Sequence, residues 1–120
     1  MSPAVSQRLQ RTAPLFSALG DPTRLHLVAR LSGHGPQSIS ALAEDATISR
    51  QAVTKHLRLL ETVGLAASRR RGRERIFALR PEGLAAVHRY LDEISRQWDE
   101  AIDRLRAHVG DLLEQAPSEE

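Results

Sequence analysis

The apolar residues of this chain fall into short periodic groups separated by polar, glycine and proline breaks. The first stretch, Met1 to Arg11, is mostly polar and reads as a frayed lead. Pro14 argues against one unbroken helix from Ala4 to Leu19, because proline lacks the N–H and its ring crowds the preceding turn. The expectation is a short helix from about Thr12 to Leu19, with Thr12 as cap and Pro14 in the tolerant first turn. Gly20 closes that helix, and Asp21 caps a second one with Pro22 at its first position. Leu25, Val28, Ala29 and Leu31 carry its helical spacing to about Ser32. Gly33-His34-Gly35-Pro36 is a turn cluster; it lacks the lysine and the helix signature of a phosphate-cradling loop.

Ser40 reads as the cap of a short helix, Ala41 to Asp45 or Ala46, followed by the tight connector Ala46-Thr47-Ile48. Ser49 caps a longer helix from Arg50 to Val63, and Gly64 stands where helices stop. Two helices joined by so short a turn form a helix-turn-helix. Leu65 to Arg71 and Glu74 to Leu79 read as two strands of a hairpin around Arg71-Gly72-Arg73. Pro81 opens the last element. There Leu84, Val87, Leu91, Ile94, Trp98, Ala101, Leu105, His108 and Leu112 recur at alternating spacings of three and four. A helix of roughly 50 Å, at about 1.5 Å per residue, has few partners within so small a chain. Its seam therefore points to a second copy, with packing inside the chain as the alternative. Pro117 to Glu120 is a polar tail.

Charge sharpens this picture. The 120 residues carry a net charge of only +2. Ser49 to Arg80 nevertheless holds nine basic residues (Arg50, Lys55, Arg58, Arg69, Arg70, Arg71, Arg73, Arg75 and Arg80) against Glu61 and Glu74. Pro81 to Glu120 holds four basic against ten acidic residues. A basic block beside an acidic one suits a nucleic-acid-binding face joined to a separate body. The absence of cysteine excludes a disulfide framework, a thiolate metal site and a cysteine nucleophile. No apolar run is long enough to span a bilayer, and the N-terminus lacks the apolar middle of a secretory signal, so the expected location is the cytoplasm.

The order helix, helix, helix-turn-helix, basic hairpin, long helix resembles the ArsR family of winged helix-turn-helix regulators. Leu19-Gly20-Asp21-Pro22-Thr23-Arg24-Leu25 resembles the family's Asp-Pro-Thr-Arg helix start. Ile48-Ser49-Arg50-Gln51-Ala52-Val53-Thr54-Lys55-His56-Leu57 is similar to its recognition helix, and Leu60-Glu61-x-x-Gly64-Leu65 to the passage into the wing. The fold expected is mainly α with a small β-hairpin: one domain over 1–120, a DNA-binding core at 12–80 and a C-terminal dimerisation helix at 81–115. The resemblance implies a homodimeric regulator, most simply a repressor, that binds an inverted-repeat operator in double-stranded DNA and releases it on a signal. In the best-known members that signal is a metal or metalloid. This chain departs from both common metal patterns. Ala41-Leu42-Ala43-Glu44-Asp45 has no cysteine pair. The last helix carries His88, Asp92, Asp99, Asp103, His108 and Asp111 without the family's spacing; His108 and Asp111 match only its second half. No cofactor or metal is expected, and the inducer stays unidentified.

The second helix of a helix-turn-helix enters the major groove by its N-terminal part. Here that part presents Ser49, Arg50, Gln51, Thr54 and Lys55, while Ala52, Val53, Leu57 and Leu60 form the buried stripe. Arg50 and Gln51 have the bidentate capacity to read guanine and adenine edges. Ser49, Thr54, Lys55 and Arg58 suit phosphates. His56, by spacing, reads as a structural hydrogen-bonding residue. Arg69, Arg71 and Arg73 are the expected DNA contacts of the wing, with Arg71 and Arg73 at its tip suited to the minor groove. The expected dimer interface holds Leu9, Phe16, Leu91, Ile94, Trp98 and Leu105. No nucleophile elbow, metal constellation or carboxylate pair in a diagnostic setting argues for an enzyme. Two readings stay open beside the regulator: a winged-helix protein-interaction module without DNA binding, and a metal-responsive sensor using His and Asp residues of the last helix.

Overall fold

The computed structural model describes residues 2–115. The reading of Pro117 to Glu120 as a tail lies outside them. Helix α1 spans Pro3–Leu19, α2 Pro22–His34, α3 Ile39–Glu44, α4 Arg50–Thr62 and α5 Pro81–Gln115. Strands β1 (Gln37–Ser38), β2 (Ala66–Arg71) and β3 (Glu74–Leu79) form one antiparallel sheet in the order β1-β3-β2. Contacts divide the chain into two compact units, Met1–Val87 and His88–Glu120.

Three local readings are corrected. Helix α1 does not wait for Thr12. It begins at Ser2, whose hydroxyl accepts from the Val5 N–H, with Pro3 at the favourable first position, and it runs through Pro14. Both Pro14 and Gln10, whose carbonyl loses its helical donor, are exposed, so water can satisfy that group. Thr12, Leu15 and Ala18 bury the adjoining face and hold the helix across the gap. Helix α3 is capped by Ser38 rather than Ser40: its hydroxyl accepts from the Ala41 N–H at 3.1 Å. Ser38 also ends β1, pairing with Ile76 while Gln37 pairs with Phe77. A two-residue strand carries no periodicity, which is why the sequence pattern showed only a hairpin. In α2 the buried positions are Leu27 and Leu31, and Leu25 is exposed.

The core of the first unit is built by helices α1 to α4 and the two long strands. Leu15, Ala18, Leu27, Leu31, Ile39 and Leu42 meet Val53, Leu57 and Leu60 of α4, closed by Leu65, Ala66 and Phe77. Each large side chain so buried contributes about 1.5–3 kcal/mol of transfer free energy. The end of α4 is held by paired caps. The Leu65 N–H donates to the Leu60 carbonyl and the Gly64 N–H to the Glu61 carbonyl. Gly64 has φ +88°, the left-handed value such a cap needs, and Leu60 and Leu65 are both fully buried beside it. Gly83, in the first turn of α5, approaches this cap closely. A β-carbon there would collide with the Gly64 carbonyl oxygen and lie 3.1 Å from the carbonyl carbon.

Asp21 ties three helices together. Its carboxylate accepts from the Arg24 N–H at 2.9 Å and caps α2. Arg24 Nε donates to the Ala18 carbonyl of α1, and its guanidinium lies 3.2 Å from Nδ1 of His56 in α4. His56 is thus the structural hydrogen-bonding residue that its spacing suggested. The Arg24 backbone N–H, aided by the nearby Arg24 and His56 charges, holds the Asp21 carboxyl below the ordinary carboxylate range.

The second unit is helical throughout its described residues, up to Gln115. It exposes Leu91, Trp98, Ile102, Leu105, Val109, Leu112 and Leu113. Trp98 and Leu105 are 62% and 61% exposed in the single chain.

Gly83→Ala should destabilise by roughly 1–3 kcal/mol despite alanine's better helix propensity, because only backbone could yield. Gly33→Ala, a helical position with open space around it, should stabilise by about 0.5–1 kcal/mol; urea titration of both variants checks the opposite signs. For Asp21, a depressed folded pKa means that its contribution is complete above about pH 4 and fades as pH falls through and below that range. Asp21→Asn, which still caps, should keep most of the stability at neutral pH and flatten the acid limb of the stability profile.

Candidate nucleic-acid interface

Burial decides which side of α4 faces outward. Val53, Leu57 and Leu60, at helical spacings of four and three, are fully buried. Gln51 and Lys55, two residues to either side of Val53, are consequently exposed on the other side, while Ser49 and Arg50, four and three residues before Val53, are exposed at the start of the helix beyond the end of the buried stripe. The Ser49 hydroxyl accepts from the Ala52 N–H at 3.1 Å, so its first task is to start the helix. Thr54 is half-buried and its hydroxyl donates back to the Arg50 carbonyl, leaving its oxygen only as an acceptor toward an outside partner. Arg50, Gln51 and Lys55 are the long polar side chains this half of α4 offers to a ligand.

The hairpin stands beside α4. Its two-residue loop is Gly72-Arg73, with Gly72 at φ +63° and Arg73 outside the left-handed region, the pattern of a type II′ turn. Register sorts the arginines by face. Phe77 is buried and pairs with Ser68; two residues along each strand, Arg75 pairs with Arg70. Ser68, Arg70 and Arg75 therefore share the face that looks toward the core and α4. Arg69 pairs with Ile76, and Arg71 with Glu74, on the opposite face. Arg69, expected at the interface, is exposed but on the face away from α4; Arg71 and Arg73 lie exposed at the tip.

A cleft of about 320 Å³ opens between α4 and the hairpin, lined by Ile39, Arg50, Arg58, Arg70, Arg73, Glu74 and Arg75. Arg70 and Arg75 were absent from the expected set. The signal that finds them is the period-two alternation counted outward from Phe77. A chain of bonds spans the back of this region. Arg58 donates to one Glu61 oxygen at 3.1 Å, and the Ser68 hydroxyl donates to the other at 2.6 Å. Arg75 in turn donates to the Ser68 oxygen at 3.0 Å. The Arg58 guanidinium also lies over the Phe77 ring, 5.9 Å from its centroid. The Ser68 hydrogen bond, joined by Arg58, lowers the Glu61 pKa below the ordinary carboxylate range.

The residues expected at a dimer interface are placed as follows. Leu9 and Phe16 are half-buried on α1, Ile94 is half-buried on α5, and Leu91, Trp98 and Leu105 are exposed. Among the described residues no group of three or more His, Cys, Asp or Glu side chains is placed to hold a metal ion; His88 pairs with Asp92 at 3.4 Å. No described helix is long and apolar enough to cross a membrane.

Known proteins share this arrangement. A helix-turn-helix domain model matches residues 19–69. The HTH-type transcriptional regulator Rv2034 of Mycobacterium tuberculosis is 42% identical over 87 residues, which is 72% of this chain and 78% of that protein. The solved structure of an ArsR-like transcriptional regulator from Rhodococcus sp. RHA1 superposes with a TM-score of 0.67 at 35% identity, covering 82% of this chain and 92% of that one. A homodimeric winged helix-turn-helix DNA-binding domain from Mycobacterium bovis superposes with a TM-score of 0.63 at 21% identity, over 81% and 89% of the two chains, a likeness of fold. With its winged helix-turn-helix, its matched motif and these relatives, the chain belongs to the ArsR family of DNA-binding transcriptional regulators.

Proposed function

We propose that the chain acts in the cytoplasm as a homodimeric repressor that holds an inverted-repeat operator and blocks transcription. In this reading it performs no catalysis and needs no cofactor, and its inducing signal is not named. The observation that carries the DNA reading is the fixed orientation of α4. Three fully buried side chains hold it with Gln51 and Lys55 turned outward and Arg50 exposed in its first turn, beside an arginine-tipped hairpin. Such a helix fits the major groove by its N-terminal half. Arg50 and Gln51 read base edges, and Ser49, Thr54, Lys55 and Arg58 meet the sugar-phosphate backbone. Arg71 and Arg73 enter the adjacent minor groove, where arginine favours narrow A·T-rich segments. Arg69 adds cationic charge to the wing. Residues 12–80 form the DNA-binding core and 81–115 the dimerisation helix of one functional domain.

The dimer reading rests on the seven apolar side chains exposed along α5. An uncovered apolar stripe of this kind marks an interaction surface, and a second copy offers an identical stripe to cover it. Leu91, Ile94, Trp98 and Leu105, with Leu9 and Phe16 of α1, form that interface here. The Mycobacterium bovis neighbour is described as homodimeric, which supports the same assembly. Two recognition helices then lie one DNA turn, about 34–36 Å, apart.

Selection of duplexes from a random pool should recover an inverted repeat with half-sites about one turn apart. Against that operator, Gln51→Ala or Arg50→Ala should cost about 1–3 kcal/mol and relax the choice of base at one position of each half-site. Charge reversal at Arg71 and Arg73 should weaken binding to all sequences and flatten its salt dependence. Trp98→Ala should weaken the dimer by about 2 kcal/mol, with a parallel loss of operator affinity, as read by sedimentation equilibrium and fluorescence anisotropy. An unchanged dimer constant would contradict the interface.

A further inference from the structure

The cleft between α4 and the hairpin holds more positive charge than either base reading or minor-groove insertion uses. Five guanidinium-bearing side chains line it: Arg50, Arg58, Arg70, Arg73 and Arg75. Two of them are already held in place. Arg58 binds Glu61 directly, and Arg75 reaches it through the Ser68 hydroxyl, which accepts from Arg75 while donating to Glu61. Arg50, Arg70 and Arg73 have no ion-pair partner among the described residues. Unpaired like charges converging on one opening repel, and a bound anion removes that repulsion. Glu74 is the acidic member of the lining. It stands at the loop end, opposite Arg71 in the register.

Geometry says which anion. With α4 in the major groove and the hairpin tip in the neighbouring minor groove, the structure that separates the two grooves must pass between helix and hairpin. That structure is the sugar-phosphate backbone of one strand. Guanidinium groups match phosphate oxygens in paired hydrogen bonds, which ammonium groups do not.

We propose that this cleft is a seat for one phosphate of the DNA backbone, contacted by Arg70 and Arg75 beside Arg50, with Glu61 and Ser68 as positioning residues that hold the wing at the distance the seat requires. The proposal rests on the DNA reading above and adds two contacts and a strut to it. It makes an unusual demand of Glu61. A carboxylate near DNA is ordinarily a repulsive group whose removal tightens binding. As a strut between α4 and β2, its neutralisation loosens binding instead.

The test uses the full-length protein and an operator recovered by selection, with single phosphates of the duplex replaced by neutral methylphosphonates. Wild type should lose about tenfold in affinity at one phosphate per half-site. Arg75→Gln should lose a similar factor on unmodified DNA, and the slope of log K against log salt should fall by about 0.9 for each seat lost. Combined with the critical methylphosphonate, Arg75→Gln should lose little more, because both changes remove one contact. Arg70→Gln should behave alike, and Glu74→Gln should bind more tightly. Glu61→Gln should bind several-fold more weakly, and Ser68→Ala should do the same without any change of charge. Melting by circular dichroism checks that each variant is folded. If Arg75→Gln and Arg70→Gln both bind as wild type with an unchanged slope, or if the methylphosphonate and Arg75→Gln effects simply add, the seat is overturned. If Glu61→Gln tightens binding, the strut is overturned. A wild-type protein that binds no duplex at all overturns the DNA reading itself, and the seat with it.

Discussion

The burial of Val53, Leu57 and Leu60 is the constraint from which the rest follows. With no exposure at any of the three, α4 cannot roll about its axis without opening the core or exposing large aliphatic groups. Losing one such side chain's packing costs about 2–5 kcal/mol, a large share of a small domain's stability. The polar face of α4 is therefore fixed by what lies beneath it. The core below is assembled from α1, α2, α3 and both long strands, so the outward face of one helix is set by the packing of most of the first unit.

Two polar devices refine that placement. At the middle of α4, Arg24 joins the Ala18 carbonyl to His56, and Asp21 caps the helix that carries Arg24. At its end, Glu61 and Ser68 join the last turn of α4 to the wing. The Asp-Pro-Thr-Arg sequence is therefore a structural clamp in this chain: Asp21 and Pro22 start the helix, and Arg24 reaches both neighbouring helices. The Leu60-Glu61-x-x-Gly64-Leu65 sequence has a parallel logic, combining a strut, a left-handed cap and a buried hydrophobic closure in six residues.

Much of this was legible in the residues, for identifiable reasons. Ser49 and Gly64 bracket α4 because capping chemistry is local. Gly72 marks the hairpin because a tight loop demands a left-handed residue. The long last helix was visible as a heptad. What stayed hidden depends on tertiary context. Pro14 argued against a continuous α1, yet it is exposed, where water can take the place of the lost hydrogen bond. Ser40 read as the cap of α3, but the cap is Ser38, which also ends the short strand paired with Ile76, a pairing that no local pattern announces. Among five wing arginines, composition could not separate Arg69 from Arg70 and Arg75. Only the register against buried Phe77 places the latter two on the side of α4.

The central claim is that one continuous surface, from the N-terminal half of α4 across the cleft to the hairpin, meets duplex DNA. The most direct measurement is a map of backbone amide shifts by nuclear magnetic resonance as a short duplex is added. The account predicts that the largest changes fall within residues 49–58 and 68–75, while the exposed side of α2 around Leu25 stays still. Changes concentrated elsewhere, with those two segments unmoved, would contradict it.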